Sequence, residues 1–529
     1  MQHVITYDQI EIMPYKLVRL HDFKVVKTVN DHARMTFTGI IDEHRRELYV
    51  KASDEDTQIK VFVTDGSGHR HPIFRGIAME VEEHVVNGVH YLTVEAVSHT
   101  YELDIKRHKR SFQNPGMTYN ELIHKIIAPY GKAEGQDMVT DRQAIGTFIM
   151  QYDETDWEFL KRLASHFYSP LIPAVGYGVP KFYFGLPMGL DKGEIDSINY
   201  KVNKRVADYQ RAAENHVPGV QDQDFIQYEV ESVKVLEPGY EVTFRGQKLL
   251  VSEAVTEMKE SVLTHTYKLS PRSGIRPIKN YNRTIIGASI YGKVVCIHRD
   301  KVQIKFKMDE QLDQSTDFWF PYSTIYASAD NTGWYCMPEE NDDIRIYFPS
   351  YREEECYAMS SVKRDAPATA AAPAPAVSGS HASGGEGSSI PAASSSHVIG
   401  SREPSSSTAS ASNVTSQKTI EAQMDPRLAQ DRMSDPAVKT MRTKSGKEIM
   451  LAPHEIVISS GSSLYIKISD SEGIIINSPS NVNITAGAEM TLSSKDMKLN
   501  AGTIELMGNG NSIRLDDKTT FMATEVKMN

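Results

Sequence analysis

Residues 473–528 read GIIINSPSNVNITAGAEMTLSSKDMKLNAGTIELMGNGNSIRLDDKTTFMATEVKM, and one short pattern recurs through them. Two apolar residues flank a third, polar in every case but Ile475, at Ile474/Ile476, Val482/Ile484, Met490/Leu492, Met497/Leu499, Ile504/Leu506, Ile513/Leu515 and Val526/Met528. The pairs step by 8, 8, 7, 7, 9 and 13 residues, with the register distorted around Phe521. Such alternation predicts strands with one buried face. Gly473, Gly487, Gly502, Gly508 and Gly510 fall mostly between the pairs, where turns need them. A short period with turns between short strands predicts a β-solenoid or β-helix.

One octad cannot hide its own apolar face. Burying two side chains offsets only part of the entropy lost in ordering eight residues. Turns of seven to nine residues are also too tight for a roomy single-chain coil. The economical solution is several identical chains winding around one axis and sharing a core. The expectation is therefore an intertwined trimer, against a single-chain solenoid or an ordinary β-sandwich tail.

Upstream, the 529 residues leave room for three or more domains, and 40% hydrophobic with 24% charged residues is an ordinary globular composition. No window of eighteen apolar residues is present, so no spanning helix is expected. The start, MQHVITYDQIEIMPYK, has no basic head followed by an apolar run, so no secretory signal is expected. Export would then need another machine, or lysis. Cys296, Cys336 and Cys356 form no C-x-x-C pair, which predicts buried reduced thiols rather than a disulfide framework or zinc site. A net charge of −11 argues against general affinity for nucleic acid.

Strands are predicted over Arg34–Ile41, Gln58–Thr64, Ile73–Glu82 and His90–Val97, with hairpin signals at Asp65-Gly66-Ser67-Gly68 and Asn87-Gly88. Two helices follow, near residues 118–128 and 155–168. Thr118-x-x-Glu121 is a capping box ahead of Leu122, Ile123, Ile126 and Ile127, stopped by Pro129. Thr155-x-x-Glu158 is another, with Trp157, Leu160, Leu163, Ala164 and Phe167 at helical spacing. Strands return over 180–280, clearest at Phe182–Phe184 and Tyr240–Phe244, and again over 284–363, including Lys301–Lys307 and Asp343–Phe348. Residues 366–418 are dominated by Ala, Ser, Pro, Gly and Thr and hold no aromatic residue, the composition of a flexible linker. A polar stretch, Glu421–Asp435, leads to the repetitive tail.

Four motifs in this order resemble one family. Gln151-Tyr152-Asp153-Glu154-Thr155-Asp156-Trp157-Glu158-Phe159-Leu160-Lys161-Arg162-Leu163 resembles a hub helix of the pattern Q-Y-x-E-S/T-D-x-x-F-L-x-R-L. Lys301–Phe306, Phe318-Trp319-Phe320-Pro321, Thr332-Gly333-Trp334 and Met337-Pro338 resemble an OB-fold barrel, continued by Asn341–Phe348 as its "G-D-E-V" strand. Arg442–Ile449 resembles the lead-in to a β-helix. Together they resemble the VgrG proteins of type VI secretion and the baseplate hub–spike fusions of contractile phage tails, over about residues 1–363 and 435–529. The implied fold is mainly β with a few helices: a duplicated β-barrel hub (1–280), an OB-fold barrel (281–363), a low-complexity linker (364–434) and an intertwined trimeric β-helix spike (435–529). Three departures stand out. About seventy residues separate barrel from β-helix, the GDE turn is Asn341-Asp342-Asp343, and no composition suits a lysozyme or toxin domain. The shaft is thus expected to be mounted flexibly, or the linker to make room for cargo.

The resemblance implies a homotrimer that caps a tube, contacts baseplate proteins and pierces a target envelope. It would carry a PAAR-like tip protein near Thr519–Asn529 and deliver a separate effector. Assembly would take place in the cytoplasm, with delivery as part of an injection particle. The machine could be a phage tail, a tailocin, an extracellular injection system or a type VI apparatus. No catalytic, cofactor-binding or metal residue is assigned. H-E-x-x-H, G-x-S-x-G and a P-loop are all absent. His69 and His71 read as solvated turn residues, and Glu353-Glu354-Glu355 as a solvated loop. Between residues 284 and 363, 8 Lys/Arg face 13 Asp/Glu, so Trp319 and Trp334 read as core or subunit-interface aromatics, not base-stacking platforms. The alternatives are a tail-associated peptidoglycan hydrolase and a trimeric fibre or adhesin.

Overall fold

The computed structural model describes residues 5–64, 66–309, 315–325, 333–360, 433–508 and 511–515. Among them the chain is mainly β, with four α-helices: α1 (Leu48–Ala52), α2 (Tyr119–Ile127), α3 (Asp156–His166) and α4 (Val206–Glu214). The early strands alternate as the sequence predicts. Arg34–Ile41 buries every second residue, putting Met35 and Phe37 with Phe23, Val25, Val61, Phe74 and Val94 in one core. The strand Arg70–Val86 turns into Val89–Ser98 through Asn87 and Gly88. These two have φ of 51° and 78°, the left-handed pair of a type I′ hairpin.

A second group of strands has its own core around Val242, Phe244, Leu249, Val251, Tyr267 and Leu269. The groups join where Arg19–Thr28 pairs with Gln247–Lys259, Val26 opposite Val255, giving one twelve-stranded sheet. Both expected capping boxes form. Thr118 and Thr155 accept from the backbone N–H of Glu121 and Glu158, whose carboxylates accept in return from the N–H of each threonine. The apolar faces of α2 and α3 meet in a third core around Leu122, Ile126, Trp157 and Leu160.

Strands Ser289–His298, Lys301–Phe306, Phe320–Ser323, Asp343–Tyr347 and Tyr357–Met359 close a five-stranded barrel. Beside it runs a six-stranded antiparallel meander: Gly333–Tyr335, Lys439–Arg442, Lys447–Ala452, Glu455–Ser460, Tyr465–Ser469 and Gly473–Asn477. The start of the tail therefore folds back on itself instead of coiling. Gly446, Gly461 and Gly473, at φ of 77–78°, allow the reversals. From residue 478 to 503 the chain forms no ladder with itself, and a last hairpin pairs Ile504–Gly508 with Asn511–Leu515. Val526, Met528, the Thr519–Asn529 tip and residues 366–418 lie outside the described residues.

The expected flexible mount does not hold. Gly333–Tyr335 pairs directly with Lys439–Arg442, Trp334 opposite Met441. Lys439 Nζ donates to the Met337 carbonyl at 3.1 Å, and Met433 packs on the barrel core. Shaft and barrel are thus fastened by a ladder that does not depend on the chain path between Ser360 and Met433. A protease site placed between Gly384 and Gly385 should, once cut, leave two fragments that co-elute in gel filtration and part only in denaturant.

Candidate assembly surfaces and the joints behind them

The meander has two faces of opposite character. One is closed within the chain, and holds Met450, Val457 and Tyr465 together with Glu448, Glu455 and Lys467. Lys467 Nζ lies 3.4 Å from Glu455 and 2.9 Å from Glu472. The other face is bare and apolar. Cross-strand register lines up Trp334, Met441, Ile449, Ile458, Ile466 and Ile476 in one row, each 38–54% exposed. Leu451, Ile456, Ile468 and Ile474 form a second row, also exposed. Beyond the meander, Val482, Ile484, Met490, Leu492, Met497 and Leu499 are exposed too. A soluble chain rarely leaves its charges inside and a contiguous aliphatic sheet face in water unless that face meets a partner.

These rows show that the apolar pairs begin earlier than the octad period revealed. Ile449/Leu451, Ile456/Ile458 and Ile466/Ile468 belong to the series, but the step of 10 residues from Ile456 to Ile466 breaks its rhythm. The steps follow the hairpin turns, which no period predicts.

A second joint links α3 to the barrel. Phe148, just before the strand Ile149–Thr155, inserts among Phe306, Phe318, Phe320 and Phe348 with ring centroids 5.1–6.2 Å away. Behind it sits a buried charge cluster. Arg162 grips Glu154 with two parallel bonds of 2.8 Å and donates to the Met150 carbonyl at 2.8 Å. Its third nitrogen lies 3.0 Å from Glu353 Oε1, while Glu353 Oε2 accepts from the Met150 N–H at 3.2 Å. Glu353 is only 8% exposed, which corrects the solvated reading for that residue, while Glu354 and Glu355 are exposed as expected. Burial pushes its carboxyl up to about 7 despite the guanidinium beside it. The rest of the motif is explained by the same network. Gln151 donates to Asp156 at 2.9 Å, and Asp156 accepts from Tyr130 at 2.8 Å and pairs with Arg110.

Residues 55–166, which run from the early strands through α3, match the family model described as phage tail baseplate hub (GPD). This region belongs to the baseplate-hub family. The E. coli c3393 protein, a type VI secretion component described as similar to T4 tail proteins gp27 and gp5, aligns over 67% of this chain and 99% of its own, at 14% identity and a TM-score of 0.48. The Francisella PdpA–VgrG complex, half-lidded, aligns over 90% and 88%, at 10% identity and 0.44. The prophage MuSo2 43 kDa tail protein of Shewanella oneidensis aligns over 53% and 100%, at 9% identity and 0.39. No curated protein matches the chain.

The chemistry outside these joints is sparse. His69 and His71 are exposed, His69 Nδ1 2.8 Å from Ser67 Oγ. Among the described residues no three His, Cys, Asp or Glu side chains gather to hold a metal, and no helix is long and apolar enough to cross a membrane. Of the thiols, Cys356 is buried as expected, Cys296 is half-buried and Cys336 is exposed on the segment after Trp334. Trp319 packs against His298 at 5.8 Å, and Trp334 stands at the barrel end of the bare face.

One constellation escaped the sequence because its members are scattered. Asp104 Oδ2 lies 3.2 Å from His32 Nε2, His32 Nδ1 lies 2.9 Å from Thr100 Oγ1, and Thr100 lies 2.9 Å from Ser98. That is the order of a nucleophilic triad, yet Ser98 and Thr100 are each 1% exposed. No substrate carbonyl can reach a hydroxyl so placed. The relay instead ties the first sheet to α3, since Thr155, the α3 cap, also donates to Asp104.

Proposed function

We propose that this chain is the structural hub and spike of a contractile injection machine, acting as a homotrimer without catalytic activity of its own. The single observation that carries the reading is the bare aliphatic ladder from Trp334 to Ile476, continued by exposed apolar pairs that have no ladder within their own chain. Two further copies would supply the missing strands and cover the face. A closed, intertwined ladder leaves no free edge to peel, so it would carry axial force along the shaft.

On this reading residues 1–280 cap the tube, 281–363 narrow the particle to a neck, 364–434 are the low-complexity linker and 435–529 form the needle that breaches the target envelope. The tube and baseplate proteins are its partners. A PAAR-like tip and a separate effector would be carried at its far end. The particle would assemble in the cytoplasm and act outside it. Deleting the gene in a producing strain and imaging tail particles by electron microscopy tests the reading. Loss of complete tube–baseplate assemblies is expected, with recovery on complementation. Normal tails in the deletion strain would overturn it.

A further inference from the structure

A cavity of about 300 Å³ opens in the hub between α4, the segment 273–280 and the end of the strand Arg19–Thr28. Three arginines line it, Arg205, Arg211 and Arg276, against a single carboxylate, Asp208, which leaves a net charge of +2 on its wall. Arg205, Asp208 and Ala212 sit at helical spacing along one face of α4.

The carboxylate does not exhaust these donors. Asp208 lies 3.2 Å from Arg205 Nη1 and 3.7 Å from Arg211 Nη1. Arg205 Nη2 donates to the Gly274 carbonyl at 2.7 Å, and Arg276 Nη1 donates to the Pro218 carbonyl. Arg205 Nε is buried and makes no hydrogen bond, with its guanidinium held over the Phe225 ring at 5.6 Å. Arg205 is also the N-cap of α4 and gives no side-chain cap, so the first N–H groups of a nine-residue helix begin beside the cavity. Water reaches these side chains, Arg205 being 30% and Arg211 64% exposed, so the recess is an open, positively charged one, and planar guanidinium forks suit oxyanions.

We propose that this cavity binds a small oxyanion, a phosphate or carboxylate group, that bridges α4 to the segment 273–280. Nothing in the piercing reading requires such a site, so the two stand or fall separately. Isothermal titration of the full-length protein with inorganic phosphate, and separately with malonate, at ionic strength matched with sodium chloride, tests it. Saturable binding of at least one probe is expected, one equivalent per chain. Phosphate alone would assign a phosphate ligand, and malonate alone a carboxylate. Arg276→Gln and Arg211→Gln should each weaken binding roughly tenfold, the loss of one charge-assisted contact. Arg245→Gln, which alters an exposed arginine beside Tyr200, should leave it unchanged. Absence of saturable heat for both probes, or equal weakening by all three substitutions, would overturn the site.

Discussion

Replacing Ile458 and Ile466 together by aspartate should convert the assembled protein into free chains of 59.3 kDa. The two residues are opposite each other in the ladder, at the centre of the bare face. Completing the burial of such half-exposed aliphatic side chains stabilises by roughly 1 kcal/mol each. Ten apolar side chains line the two rows, so on the trimer reading the face would contribute about 10 kcal/mol per protomer to assembly. Each aspartate removes that gain and brings a charge that costs several kcal/mol to desolvate without a partner. The double substitution places six such charges around one axis. Hub and barrel should keep their folds, because neither residue belongs to their cores. Lys444→Asp, in an exposed turn of the same tail, is the matching control. Sedimentation velocity reads the outcome, and an unchanged oligomer in the double variant would sink the claim that this face is the contact.

Arg162→Ala should loosen the hub–barrel joint by about 3–5 kcal/mol, because it strands two buried carboxylates without their shared cation. Arg162 touches Glu154 on the hub side and Glu353 on the barrel side, so the damage should centre on residues 149–166 and 353–358. Hydrogen exchange resolved by segment would show it as lost protection there, with the first sheet unaffected. The same cluster predicts a pH dependence of definite sign. Glu353 holds its proton up to about 7 in the folded chain, above the ordinary 4.5, because burial outweighs Arg162 and Glu154 adds a second negative charge. Between these values the folded state binds a proton that the unfolded state has released, so stability falls as pH rises from about 4.5 to about 7. The change is of order 3 kcal/mol at most. Glu353→Gln mimics the protonated acid, and should flatten this slope and stabilise the joint above pH 7. A slope unchanged in that variant would place its origin elsewhere.

Local patterns in the sequence proved readable where the chain meets its own chain. Arg34–Ile41 and Gln58–Thr64 were bounded by alternation alone, and both helix starts by threonine three residues before glutamate. The barrel strands expected over Lys301–Lys307 and Asp343–Phe348 each end one residue earlier, at Phe306 and Tyr347. What stayed hidden depends on distant pairing. Glu353 sits in a run of three glutamates and looks solvated until Arg162, 191 positions earlier, is seen facing it. The ladder between Trp334 and Met441 crosses about a hundred residues, including the low-complexity stretch, so composition suggested a hinge where pairing makes a joint. Helix α4 was missed because Val206–Glu214 has no side-chain cap at its start and only Val206 and Tyr209 as large apolar residues.

The bare face was half legible. The pairs from Ile474 onward announced a shared core, whereas those from Ile449 to Ile468 were concealed by hairpin turns of unequal length. The concealed set lies in rows between Trp334 and Ile476 on the meander, and the later pairs from Val482 to Leu499 are exposed with no ladder of their own. The strand Lys439–Arg442 is fixed beside the barrel, because its partner Gly333–Tyr335 places Tyr335 in the barrel core.

The most direct measurement is the solution mass of the full-length protein by light scattering coupled to gel filtration. A mass of about 178 kDa, three times the 59.3 kDa chain, is the predicted result. A stable, monodisperse species at 59.3 kDa, with its aliphatic ladder left in water, would contradict the account.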